Sequence, residues 1–167
     1  NACVGATIAD TRAQFKDAPP VDVVLLSAGA DDIGLFGLLQ SCQDDSCVPA
    51  LDAATVRAAD LTAAYDSLFG DAVRHFQRVI VMAYPQVWDD PADTWVCSTI
   101  TPAAKAASVR LINALNGALS QSAAVHGEVT AVNPKFEGHG ACSPEPWVNF
   151  QDGPPSALYT NDTGYRE

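Results

Sequence analysis

Residues 20–35 read PVDVVLLSAGADDIGL. An aliphatic run, VVLL, passes directly into small residues and then two carboxylates. That is the pattern of a buried strand whose end reaches the surface. In open α/β sheets, ligands bind in the crevice at the carboxyl ends of the strands, so this stretch predicts both a strand and the place of a site. The same stretch carries residues that argue against ordinary catalysis there.

Two further strands follow from the same kind of reading. Residues 78–84 (RVIVMAY) and 128–133 (EVTAVN) join residues 21–27 as strand candidates, and the first two runs are nearly continuous β-branched and aliphatic sequence. Strands covered on both faces of a parallel sheet read this way. Helices fill the intervals. Residues 52–76 are Ala-rich, with Val56, Leu61, Tyr65, Leu68, Phe69 and Val73 at three- and four-residue spacing, Asp52 as an N-cap and Gly70 as a break or kink. A second helix opens with Thr101 as N-cap and Pro102 in its first position, carries Val109, Ile112, Leu115 and Leu119 as its apolar stripe, and ends near Gly127. Residues 33–39 predict a short helix or tight loop. Strand–helix–strand–helix–strand implies right-handed crossovers and a three-layer α/β/α, flavodoxin-like parallel sheet. The expectation is a single domain over residues 1–167.

The bulk composition narrows the partners. The 167 residues hold 9 Lys+Arg against 20 Asp+Glu, a formal charge of −11, which repels phosphate backbones and anionic bilayers and disfavours nucleic acid. Hydrophobic content of 48% with 17% charged residues is globular, and no apolar run is long enough to span a membrane. Cys42 and Cys47 can close a small loop, Cys97 and Cys142 can pair across the fold, and Cys3 is left over. Loop cysteines of this kind suggest a secreted, oxidised protein. Zinc is the rival reading, but there is no CxxC pair and His75, His126 and His139 are scattered. Asp31, Asp32 and Asp10 offer oxygen ligands for a cation such as Ca²⁺, against the simpler reading that they are solvated or hold loops together. No metal or cofactor is expected. Trp88, Trp95 and Trp147 sit in loops near the expected crevice, where they either stack on a ligand or cap the core.

Four blocks in order now resemble a family. Residues 1–11 (NACVGATIADT) are similar to the second conserved block of the SGNH (GDSL-type) esterases and lipases, with Gly5 as its glycine. Residues 29–32 (Gly-Ala-Asp-Asp) resemble the third, Gly-x-Asn-Asp. Residues 136–149 (FEGHGACSPEPWVN) resemble the Cys- and Trp-bearing loop of the secreted actinobacterial branch, and residues 158–165 (LYTNDTGY) the last block, usually His-Pro-Asn-x-x-Gly. The resemblance implies ester hydrolysis by a serine. A histidine takes its proton, and the oxyanion is held by the serine and glycine N–H groups and the asparagine amide.

Each of those roles maps onto a changed position. The Gly-Asp-Ser block is absent from this chain. Gly5 retains its N–H. Asp31 replaces the asparagine, and a carboxylate has no N–H to donate. Tyr159 replaces the histidine, and tyrosine, with a pKa near ~10, is a poor base at neutral pH. Ser156 replaces the aspartate. The expectation is a degenerate, non-catalytic site that serves binding or assembly through a pocket including Asp32, Trp88 and Trp147, with an acyl or glycan ligand. The alternative is the C-terminal portion of a secreted serine esterase or lipase whose nucleophile lies upstream. The resemblance also implies that strands preceding residue 1 are missing, leaving residues 21–26 as an open edge. A missing N-terminal segment, or another chain, is then the expected partner at that edge and at Cys3.

Overall fold

A computed structural model of the chain describes residues 3–42, 44–88, 100–141, 143–149, 160–164 and 166. Three parallel strands, β1 (Val23–Leu26), β2 (Arg78–Met82) and β3 (Val129–Val132), lie side by side in that order. Val24 pairs with Val79 and Val79 with Val129; two residues on, Leu26 pairs with Val81 and Val81 with Ala131. This register puts those six side chains on one face, where Leu26, Val79, Val81 and Val129 are buried. The strands are shorter than the apolar runs that announced them. Backbone bonds continue just past them, with the Arg78 N–H donating to the Asp22 carbonyl at 3.0 Å and the Ala83 N–H to the Val132 carbonyl at 2.9 Å.

Helices α1 (Ile8–Ala13), α2 (Ala30–Ile33), α3 (Leu35–Gln40), α4 (Val48–Ala59), α5 (Thr62–His75) and α6 (Pro102–Val125) supply the rest. α6 begins as expected: the Thr101 hydroxyl accepts the Ala104 N–H at 3.1 Å, and Pro102 sits in the first turn. Ile112, Leu115 and Leu119 are fully buried, and the stripe widens to Ala104, Ala107, Leu111 and Ala118. Small residues on both helices, Ala54 and Ala58 on α4 against Ala104 and Ala107 on α6, allow α4 to pack closely on α6. Tyr65, Leu68 and Phe69 of α5 fill the layer between α6 and the sheet; each such side chain contributes roughly 1.5–3 kcal/mol by leaving water.

The long helix expected over residues 52–76 is two. It breaks at Asp60 and Leu61, not at Gly70, which lies inside α5. An acidic residue at a helix C-terminus opposes the dipole, so Asp60 is a natural place to stop. Asp52 is not an N-cap. α4 starts a turn earlier at Val48, with Pro49 in its first turn, and Asp52 projects from its side to pair with Arg110 at 2.7 Å. Residues 33–39 form the short helical turns α2 and α3, divided by Gly34 at φ 68°.

Among the described residues, the helices lie on one face of the sheet. The opposite face carries Val23, Leu25 and Val132, all exposed, with Ile80 and Met82 half-buried.

Candidate functional site at the carboxyl ends of the strands

The site is built where β1 ends. Leu26 leads into Ser27, Ala28 and Gly29, and Gly29 opens α2 at φ 116°, a conformation that side chains disfavour. Space forbids a side chain there too: a Cβ on Gly29 would lie 2.0 Å from the Tyr65 hydroxyl and 2.9 Å from Tyr65 Cζ. The Tyr65 hydroxyl donates to the Ala28 carbonyl at 2.7 Å. From the end of β2, the Tyr84 hydroxyl accepts the Ala30 N–H at 3.1 Å and hydrogen-bonds the Ser27 side chain. Burial raises the pKa of both phenols, so both stay neutral and act as fixed posts. Tyr84 is itself pinned by Asn116 of α6, whose carbonyl accepts the Tyr84 N–H and whose amide donates to the Tyr84 carbonyl, each at 2.8 Å.

The two carboxylates beyond Gly29 have separate tasks. Asp32 is half-buried and accepts the Ile8 N–H at 2.9 Å, so it caps the amino end of α1 from across the fold. α1 carries its own capping box, in which Thr7 accepts from the Asp10 N–H and Asp10 from the Thr7 N–H; the Thr7 hydroxyl, donating to the Asp10 carboxylate at 2.6 Å, and then the Thr7 N–H hold that carboxyl below its ordinary pKa. The turn that precedes α1 contains Gly5, exposed and at φ 80°. The blocks holding Gly5 and Asp31–Asp32 are thus joined directly. Asp31 itself is exposed, and its pKa is raised, first by partial burial and then by the Asp32 charge. An ionised carboxylate here accepts hydrogen bonds and repels a developing oxyanion.

Hydrogen bonds continue along the strand ends. Ile8 joins Asp32, Ala30 joins Tyr84, the Ala141 N–H donates to the Val87 carbonyl at 2.7 Å, and the Asn161 N–H donates to the Trp147 carbonyl at 2.8 Å. Val148 and Thr160 form an antiparallel bridge beside that last contact. This succession reaches all four sequence blocks. Asn161 is structural: its amide donates to the Pro146 carbonyl and its carbonyl oxygen accepts from Thr163 and Gly164 N–H. The His139 ring stacks on Trp147 at 3.9 Å between centroids, and its Nδ1 lies 2.9 Å from the Glu145 carbonyl. Trp147 is half-buried, with Phe136 edge-on to it, whereas Trp88 is 5% exposed and belongs to the core.

Cys42 and Cys47 form a disulfide, and Cys3 is an exposed free thiol. Cys97, Cys142, Trp95, Ser156 and Tyr159 lie outside the described residues. A cavity of about 420 Å³ sits between α1 and α5, lined by Arg12, Phe15, Lys16, Asp71, Arg74 and His75. Because α5 runs into the start of β2, this cavity is at the amino ends of the strands, away from Gly5 and Asp31. Tyr65, Tyr84, Asn116 and Ser27 are the site residues that the sequence reading passed over. The available signal was a tyrosine, not a phenylalanine, on an apolar stripe: a buried phenol needs a partner.

No protein-family model matches the chain. A lipase of Streptomyces rimosus is 28% identical over 163 residues, which cover 89% of this chain; the chain spans 58% of that protein. The crystal structure of the extracellular lipase from Streptomyces rimosus matches with a TM-score of 0.84 at 22% identity, over 98% of this chain and 75% of its own. Phospholipase A1 from Streptomyces albidoflavus NA297 matches with a TM-score of 0.85 at 22% identity, over 98% and 73%. The chain is thus similar in sequence to a Streptomyces lipase and shares the α/β fold, with its parallel sheet, of two Streptomyces lipolytic enzymes.

Proposed function

We propose that this domain keeps the crevice of an esterase or lipase and has given up its chemistry, so that it binds an acyl ester or a glycan without turning it over. The observation that carries the reading is Asp31. It stands on the first turn of α2, in the block tied to Gly5 through Asp32 and Ile8, where an ester hydrolase of this fold needs a neutral amide. The loss of one oxyanion donor alone lowers kcat by about 10²–10³-fold. Tyr159 in place of the histidine removes the general base, a further loss on the order of 10²–10⁴-fold. The described scaffold supports retention of a ligand site: hydrogen bonds from Ile8 to Asn161 tie all four blocks together. Secretion is part of the same reading, supported by the Cys42–Cys47 disulfide and by the extracellular lipase the chain resembles.

The second reading is a working esterase completed by a serine on further polypeptide. The observation favouring it is that the chain spans 58% of its lipase relative. Titration with p-nitrophenyl butyrate and with an oligosaccharide, followed by Trp fluorescence, separates the two. Saturable quenching by either ligand, with the ester recovered intact, is expected. Ester cleavage that a serine-directed phosphonate abolishes would establish the second reading instead.

A further inference from the structure

Positive charge is scarce in this chain, and it gathers at one place. The cavity between α1 and α5 is lined by Arg12, Lys16 and Arg74, three of the nine Lys and Arg residues, and by Asp71, one of the twenty carboxylates. Asp71 acts as a clamp. One of its oxygens takes Arg12 Nε from α1, and the other takes a terminal nitrogen of Arg74 from the next turn of α5. The Asp71 side chain is 17% exposed, against 48% for Arg12 and 67% for Arg74. Each guanidinium therefore commits one nitrogen to the clamp, and among the described residues no other acceptor takes the remaining two. Lys16 is exposed and forms no ion pair among the described residues.

Stability does not account for this grouping. Exposed ion pairs contribute about 0–1 kcal/mol each. Three cations against one carboxylate leave two positive charges uncompensated, in a protein whose total is −11. A cleft lined by one sign of charge focuses its field on a small ion of the other sign. The wall beside the cations is apolar. Phe15 is buried, with Phe76 edge-on at 5.3 Å and the His75 ring at 6.0 Å, and His75 Nδ1 lies 2.9 Å from the Asp71 carbonyl. A volume of about 420 Å³ suits a small organic molecule. Guanidinium groups match the oxygens of a phosphate or a carboxylate. Two uncompensated charges favour the phosphate monoester, which carries about −1.5 to −2 at pH 7. The net charge of −11 repels anionic bilayers, which favours a soluble ester over a lipid headgroup.

We propose that this cavity binds a small, soluble phosphate monoester of an apolar or aromatic group. Arg12, Arg74 and Lys16 hold the phosphate oxygens, and Phe15 packs against the carbon group. The cavity lies at the amino ends of the strands, so the inference stands whether or not the crevice at their carboxyl ends is catalytic.

Isothermal titration calorimetry with phenyl phosphate at low salt tests it. Saturable one-to-one binding is the expected result. Arg74→Gln and Lys16→Gln should each weaken it by on the order of 10-fold, since each removes a charged hydrogen-bond donor. Lys16 has no ion pair to lose among the described residues, so its variant keeps the test in force if Arg74→Gln disturbs the clamp. Arg110→Gln deletes the same charge between α4 and α6, where Arg110 pairs with Asp52, and should leave the affinity unchanged. No saturable heat up to about 10 mM overturns the proposal. Equal weakening by all three substitutions overturns it too, as a general effect of charge. Phenyl sulfate, a monoanion of similar shape, should bind about 10-fold more weakly; equal binding removes the preference for a dianion. Inorganic phosphate that binds as tightly as phenyl phosphate removes the role of Phe15 and with it the ester. Sedimentation with phosphatidic acid vesicles, without binding of phenyl phosphate, would assign the site to a lipid headgroup instead.

Discussion

Substituting Gly29→Ala tests the site's foundation. The position is at φ 116°, where a Cβ is strained by roughly 1–3 kcal/mol. The new methyl would sit 2.0 Å from the Tyr65 hydroxyl, so that ring must move. Tyr65 is fully buried beside Phe69, and displacing it costs the bond to the Ala28 carbonyl, about 1–3 kcal/mol with the carbonyl left unsatisfied, plus about 1–3 kcal/mol of overpacking. The sum is about 3–9 kcal/mol, a large share of a small domain's stability. Tyr65→Phe alone removes only the hydroxyl and costs about 1–2 kcal/mol. In the double variant the worst contact has gone already, so the two changes are less than additive by about 1–2 kcal/mol; the backbone strain and the approach to Tyr65 Cζ at 2.9 Å remain. Urea unfolding monitored by far-UV circular dichroism for all four members of the cycle reads these numbers. A Gly29→Ala penalty below about 1 kcal/mol, or strict additivity with Tyr65→Phe, would refute the reasoning.

Other perturbations follow from the same contacts. Asn116→Ala leaves the Tyr84 N–H and carbonyl without their partner and should destabilise by about 2–3 kcal/mol in the same unfolding assay. Asp31 has a raised folded-state pKa, so its charge opposes folding at neutral pH and the penalty fades as pH falls through the folded and then the unfolded value. Asp31→Asn should therefore stabilise at pH 7, by on the order of 0.5 kcal/mol after solvent screening, and have no effect near pH 3; a gain that persists in acid contradicts this assignment. Asp10 has the opposite sign: its pKa is lowered by Thr7, so the α1 cap is present at neutral pH and is lost in acid as Asp10 protonates, and Thr7→Ala should flatten that dependence. Reducing Cys42–Cys47, which closes a five-residue separation, should lower stability by about 2 kcal/mol, read as a drop in urea midpoint.

The parallel sheet was legible because its strands are aliphatic runs bounded by polar residues, and the start of α6 because Thr101 and Pro102 are a strong local signal. The break at Asp60 was not. Periodicity carries through residues 52–76 and masks the boundary; the one local signal for it is Asp60, an acidic residue where a helix C-terminus disfavours negative charge. Gly5, Asp31 and Asp32 could be placed from their blocks. The work of Tyr65, Tyr84 and Asn116 could not, since their partners are backbone atoms distant in sequence: Tyr65 reaches Ala28, Tyr84 reaches Ala30, and Asn116 reaches Tyr84. Trp88 lies in a loop as expected, and of its two readings, stacking on a ligand or capping the core, its burial favours the second.

Reaction with a fluorophosphonate, followed by intact-mass spectrometry of the full gene product, tests most directly whether this crevice has lost its chemistry. A serine activated by a base takes up one phosphonyl group and, in doing so, stops ester turnover. The account predicts an unchanged mass for the wild-type protein and for Asp31→Asn alike. Stoichiometric phosphonylation of one serine, with matching loss of p-nitrophenyl butyrate hydrolysis, would contradict it.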